Sequence, residues 1–186
     1  MGSSARAIQW TYEDYLAFPE DGKRHEIIEG ERFMSPSPTT KHQKISRRLL
    51  YVLEDYFRRT KAGEVFDAPM DVVLSDIAIV EPDLLVVLAA RASIITDKNI
   101  QGAPDIVIEI ISETSRKTDE ITKKKLYERY GVLEYWVVDP ELELVKIYRL
   151  TDVRYTKAEE RAEERGETVT TDLLPGLDIS LTELFE

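Results

Sequence analysis

The sequence predicts a single α/β domain, and three observations carry that expectation. Thr40 to Thr60 repeats its apolar side chains at helical spacing, and several short runs rich in Val, Ile and Leu lie between turn residues. The length of 186 residues suits one hydrophobic core large enough to hold a site without covalent staples. With 42% hydrophobic and 33% charged residues the chain has a globular rather than a disordered composition. No internal repeat and no linker marks a second unit, so residues 1–186 are read as one domain.

The elements follow in order. Thr11 and Asp14 have the spacing of a capping box, which opens a short helix ending at Pro19. Glu26 to Met34, with Glu29-Gly30 at its centre, reads as a tight hairpin, and Ser35-Pro-Ser-Pro38 breaks it. In the long helix Ile45, Leu49, Val52, Leu53, Tyr56 and Phe57 form one apolar stripe. Its burial is worth on the order of 10 kcal/mol before entropy is subtracted. Lys41, Lys44, Arg47, Arg48 and Arg58 fall on the opposite face, either a solvated surface or a stripe facing phosphates.

Val65 to Leu74 and Ile79 to Leu88 read as two strands parted by Ser75-Asp76, the second apolar on both faces as a central strand is. Asp105 to Ile111 is a further buried strand. The polar loop Ser112 to Thr118 and a helix stopped by Gly131 come next. Glu134 to Asp139 is a strand, turned by Pro140-Glu141 into Leu142 to Arg149. The charged segment after Asp152 fits a helical turn or an edge hairpin, and Leu173 to Leu177 and Leu181 to Phe185 are expected to pack back on the body.

Composition excludes several chemistries. With no cysteine there is no disulfide, thiolate zinc site or cysteine nucleophile, and two histidines, His25 and His42, are too few for a zinc-type histidine motif. No glycine-rich phosphate loop or serine-hydrolase motif occurs. A net charge of −11 argues against a protein that coats nucleic acid, though not against a nuclease whose acids cluster at a metal. No apolar run approaches the roughly 20 residues of a membrane span, and Met1 to Ala7 lacks the layout of a signal peptide, so a cytoplasmic location is expected.

Two acids sit where acids are costly. Asp83 follows Pro82 within an apolar run, and Glu109 lies in the middle of Ile106 to Ile111. Adjacent central strands would bring both carboxylates to one point, and oxygen ligands of that kind suit Mg²⁺ or Mn²⁺. On a wheel at about 100° per residue, Lys123 falls between Leu126, Tyr127 and Tyr130 on the inward face, with Lys124 and Lys125 turned away. It is either the cationic part of a hydrolytic site or a surface partner of Glu128 or Asp119.

Several stretches carry a resemblance. They are Arg24 to Gly30, Ser35 to Pro38 with His42, Val80-Glu-Pro-Asp83, Gly102 to Ile110, and Lys123 to Asp139 with Tyr127, Gly131, Glu134, Tyr135 and Trp136. Pro82-Asp83 followed by a strand ending in Glu109 resembles the P-D…(D/E)-x-K signature of the restriction-endonuclease-like superfamily. In order, from Thr11 to Phe185, the stretches resemble more closely the Uma-type restriction endonuclease family. The resemblance implies a central mixed sheet flanked by helices, metal-dependent hydrolysis of phosphodiester bonds in DNA, and a homodimer. By position it makes Asp83 and Glu109 the metal ligands, with Glu26 adding to the site. The signature lysine position, two residues after Glu109, holds Ile111, and Lys123 of the following helix takes its place.

His42 is read as a buried histidine with a hydrogen-bond partner, or as a support or substrate contact beside Glu26. Glu29 and Asp105 are read as turn residues and Ser112 and Ser115 as loop-forming. Of Tyr135 and Trp136, one is expected in the core and the other against a partner or a helix. Two functions follow: a Mg²⁺-dependent endonuclease, and a non-catalytic module of the same fold that serves protein contacts. The net charge and the missing signature lysine favour the second; the buried acids favour the first.

Overall fold

The computed structural model describes residues 9–19, 21–35 and 37–186. Helix α1 (Tyr12–Tyr15) carries the expected capping box of Thr11 and Asp14 but ends before Pro19. Strands β1 (Arg24–Ile28) and β2 (Glu31–Ser35) form the hairpin. Its two-residue turn needs left-handed backbone at both positions, Glu29 at φ 53° and Gly30 at φ 81°. Gly30 is required on a second count, since a Cβ there would lie 2.5 Å from the Gln9 side chain. Helix α2 (Thr40–Thr60) has the expected bounds; Thr39 caps it by accepting from the His42 amide, and it buries Ile45, Leu49, Leu53, Tyr56 and Phe57.

The two apolar runs that follow are not two strands but four. They are β3 (Gly63–Asp67), β4 (Val72–Ser75), β5 (Ala78–Val80) and β6 (Leu84–Leu88). Pro69 and Pro82 explain the splits, because neither can donate to a ladder and both bias the residue before them away from helix. Each run therefore crosses between two sheets. Strands β4 and β5 join β7 (Ile100–Gln101) and the hairpin in the order β2-β1-β5-β4-β7. Strands β3 and β6 join β8 (Ile106–Ile110) in the larger sheet. Asp83 thus stands at the crossing into β6, not inside a continuous strand.

A π-helical turn, Thr118–Lys123, leads into α3 (Lys124–Tyr130), which Gly131 ends in the left-handed conformation. The larger sheet is completed by β9 (Glu134–Asp139), β10 (Leu144–Thr151) and β11 (Arg154–Tyr155), in the order β11-β10-β9-β8-β6-β3. The charged segment resolves as an edge strand, β12 (Glu159–Ala162), paired with β10. Strands β13 (Thr168–Val169) and β14 (Ile179–Ser180) pair with each other ahead of α4 (Leu181–Phe185). Only β8 with β9 is parallel in the large sheet, so it is mixed, as expected.

Both faces of the large sheet are covered. Leu84, Val86, Ile106, Ile108, Trp136 and Val138 pack under α2 and α4, while Leu85, Val87, Val107, Tyr135 and Val137 pack toward the small sheet and α3. Tyr135 and Trp136 are consequently both core residues, at 0% and 1% exposure, and Tyr135 packs against Tyr127 of α3, the helix contact expected of one of them. Trp136→Ala is expected to cost about 3–5 kcal/mol, read as a lowered urea midpoint at unchanged slope. Among the described residues no helix is long and apolar enough to cross a membrane.

The turn after β9 depends on one buried acid. Asp139 accepts from the amides of Glu141 and Leu142 at 3.0 and 3.1 Å and from Arg116 at 2.6 Å. Burial alone would raise its pKa, but the Arg116 guanidinium and these amides outweigh it and hold the carboxyl below its ordinary value. A depressed carboxylate contributes stability above the free-carboxyl range near pH 4 and loses it as pH falls through the folded value. Wild type and Asp139→Asn are therefore expected to differ in stability at pH 7 and to converge in acid, measured by denaturant titration across pH.

Candidate active site

Three elements deliver the site: the crossing from β5 to β6, the end of β8, and the π-helical turn. In the antiparallel β6–β8 ladder Leu84 faces Ile108, so continuation by one residue sets Asp83 opposite Glu109. Side chains directly opposite one another share a face with Cβ atoms about 4.5–5.5 Å apart. Both acids therefore lie at one end of the large sheet, near enough for the charge of Asp83 to bear on Glu109.

Neither acid is unpaired. Asp83 Oδ1 accepts from Arg24 at 2.6 Å, and Oδ2 accepts from the Ile110 amide at 2.9 Å. His42 Nε2 lies 2.9 Å from the same Oδ2, and because an ionised carboxylate only accepts, that nitrogen carries the proton. Burial would raise the Asp83 pKa, but His42 and Arg24 outweigh it and hold the carboxyl below its ordinary value. His42 thus has the hydrogen-bond partner expected of it, while its buried Nδ1 has none among the described residues.

Glu109 is held differently. Its Oε1 accepts from Lys123 at 3.0 Å and from the Tyr127 hydroxyl at 2.8 Å. Burial, reinforced by the negative charges of Asp119, Asp83 and Glu26, outweighs Lys123 and pushes the carboxyl up to about 8. Lys123 is buried and lies 2.8 Å from Glu26 and 3.8 Å from Asp119. Its burial favours the neutral amine, but Glu109, Glu26 and Asp119 overcome that and hold the ammonium well above its ordinary pKa. Lys123 is therefore the inward lysine, and the surface pairing with Glu128 is not formed. Glu26 also accepts from the Glu81 amide at 3.0 Å, which ties β1 to the crossing.

Four neighbours were not singled out for the site in the sequence: Arg24, Glu81, Asp119 and Tyr127. Three of them left a signal. Arg24 lies two residues before Glu26 on the same strand face, and Asp119 and Tyr127 lie four residues either side of Lys123. Glu81, with Asp71, receives the Tyr15 hydroxyl bond, and no spacing marks that contact.

The acids of the site, with Arg24, His42 and Lys123 but not Tyr127, open on a cavity of about 600 Å³, also lined by Lys41, Ser112, Ser115 and Arg116. Ser112 and Ser115 bond each other through side chain and amide, which holds the loop as expected and also turns it toward the cavity. Carboxylates outnumber cationic side chains seven to four in this lining. An excess of oxygen donors, five of them buried and three of those (Glu81, Glu109 and Asp119) with the pKa lifted by burial, is the environment a hard divalent cation relieves. Among the described residues no group of three or more His, Asp or Glu is placed to hold a metal by itself. Mg²⁺ commonly takes one or two carboxylates and completes its shell with water and substrate phosphate, so the donor set of Asp83 and Glu109 fits it.

Residues 12–182 match the Uma2 family, described as "Putative restriction endonuclease". The chain belongs to the Uma2 family. Its fold is similar to the crystal structure of "a putative nuclease belonging to DUF820" from Anabaena variabilis ATCC 29413. The TM-score is 0.80 and the identity 24%, over 94% of this chain and 97% of that one. At that identity the likeness speaks for the fold, and it agrees with the mixed sheet flanked by helices. No protein of curated function matches the chain. Within this Uma2 member the matched span contains every residue of the site, from Arg24 to Tyr127.

Proposed function

We propose that this Uma2 protein is a Mg²⁺- or Mn²⁺-dependent endonuclease that hydrolyses phosphodiester bonds in DNA, with Asp83 and Glu109 holding the metal. The observation that carries the reading is the placement of Asp83 opposite Glu109 at the mouth of an acid-rich cavity, with the buried Lys123 ammonium 3.0 Å from Glu109. A divalent cation held there supplies Lewis-acid stabilisation of phosphoryl oxygens and a water of lowered pKa.

The chain's own residues divide the remaining work. Glu26 and Asp119 orient Lys123, whose charge is fixed in place to stabilise negative charge developing on the phosphoryl group. His42 and the Ile110 amide fix one oxygen of Asp83, and Tyr127 fixes Glu109. Arg24 holds the other oxygen of Asp83 and is itself partly exposed to the cavity, so Arg24 would have to yield if Asp83 were to hold a metal through that oxygen. Release of Arg24 from Asp83 leaves the guanidinium free for a phosphate.

One observation favours the rival, a non-catalytic module for protein contacts: Asp83 and Glu109 are both satisfied by protein partners. Calorimetry with Mn²⁺ and Mg²⁺ separates the two. The nuclease reading expects Mn²⁺ binding to the wild type that disappears in Glu109→Ala, followed by metal-dependent DNA cleavage with the same loss. A folded wild type that binds neither metal supports the interaction module instead.

A further inference from the structure

The charged face of α2 is divided. Toward its C-terminus Arg58 donates to Glu54 and Arg59 to Asp55, each at 3.0 Å, which removes Arg58 from any stripe facing phosphates. Among the described residues the N-terminal half has no ion pair within the helix. Lys44 and Arg47 are exposed, and among the described residues no carboxylate lies within ion-pair distance of either. Arg48 donates to the Leu184 carbonyl at 3.1 Å and so leaves its charge uncompensated. Tyr51 follows on the same side with 74% of its surface exposed. Asp178 and Glu183 share the groove beside Arg47, Arg48 and Tyr51 without pairing with these arginines.

Lys41, Lys44, Arg47, Arg48 and Tyr51 fall within an arc of about 120° on the helix and span about 15 Å along it. The strip begins at the cavity wall, where Lys41 donates to the Pro140 carbonyl at 2.5 Å and meets Glu143 only at an exposed 3.8 Å. In a chain of net charge −11, a row of cations with at most one weak carboxylate contact, followed by an exposed aromatic ring, forms a surface suited to a polyanion with stackable bases. At about 600 Å³ the cavity is the size of a small-ligand site, enough for a strand end or a nucleotide or two and not for a double helix.

We infer that the N-terminal half of α2 is a track for a single DNA strand, with Lys41, Lys44 and Arg47 on its phosphates and Tyr51 stacked on a base, delivering that strand to the cavity. What the cavity then does to the strand rests on the nuclease reading above. The acid-rich lining repels a polyanion, so the contacts that hold it come from α2 rather than from the cavity.

Fluorescence anisotropy tests the track, with EDTA present so that nothing is cut. The probes are a labelled single strand of about 12 nucleotides and a duplex of the same sequence closed by hairpins at both ends. The single strand is expected to bind about tenfold tighter or more, with a log K against log salt slope of about −2 for three phosphate contacts. Lys44→Glu/Arg47→Glu is expected to weaken it about tenfold and flatten the slope, and Tyr51→Ala to weaken it about fivefold or more. Arg58→Glu, in the ion-paired half, leaves the affinity unchanged. Wild-type affinity in the double reversal, or a closed duplex bound as tightly as the strand, overturns the track. Adding Mn²⁺ separates the two readings. A strand bound through α2 but left intact keeps the track and overturns the nuclease, whereas cleavage undiminished by the double reversal keeps the nuclease and overturns the track.

Discussion

Lys123→Met is expected to destabilise the fold by about 3–5 kcal/mol at neutral pH, because it removes the one ammonium between buried carboxylates while keeping the volume of the side chain. Lys123 lies 2.8 Å from Glu26 and 3.0 Å from Glu109 at 4% exposure, so water cannot replace it as the counter-charge. The deficit is expected to shrink in acid, as protons reach Asp119, whose carboxyl burial holds above its ordinary value. Guanidinium denaturation of the wild type, Lys123→Met, Glu26→Gln and the double variant measures the coupling. The double variant should recover part of the loss, since neutralising Glu26 removes a charge that Lys123 no longer balances. A Lys123→Met protein as stable as the wild type at pH 7 would show that the ammonium is not what holds these acids together.

Asp83→Asn separates a metal-holding role from a structural one. The amide keeps the shape and can still accept from the Ile110 amide, so the expected stability cost is about 1–3 kcal/mol, from weakened bonds to Arg24 and His42. Under the nuclease reading Mn²⁺ affinity and the cleavage rate fall by more than the roughly 10–100-fold that loss of an outer partner costs. His42→Ala, which removes a partner of Asp83 rather than the carboxylate, is expected to fall within that 10–100-fold range. Metal titration and single-turnover cleavage on both variants, beside their thermal midpoints, give the comparison. Equal losses in the two, tracking stability, would make Asp83 a structural anchor.

Local patterns were legible where they are short-range. The capping box at Thr11, the Glu29-Gly30 hairpin and the bounds of α2 each depend on residues within a few positions, and each has the predicted form. Lys123 was placed inward by periodicity alone, and it is inward. One reading failed for want of long-range information. Val65 to Leu74 and Ile79 to Leu88 looked like whole strands because hydrophobicity does not record which sheet a segment joins, although Pro69 and Pro82 marked the crossings. Alternation of Tyr135 and Trp136 gave the two faces of β9 but not that both are fully covered.

By itself the sequence determined the residue types of the site, its two buried acids and inward lysine, because an ionisable group in an apolar run is conspicuous wherever the run folds. Tertiary structure alone decided how those charges are compensated. Arg24 reaches Asp83 across 59 positions of sequence, His42 reaches it across 41, and Glu26 meets Lys123 from another sheet. Helical and strand periodicity extend over a few residues, whereas charge compensation acts through space, and no pattern in the linear chain encodes which distant partner a buried carboxylate meets.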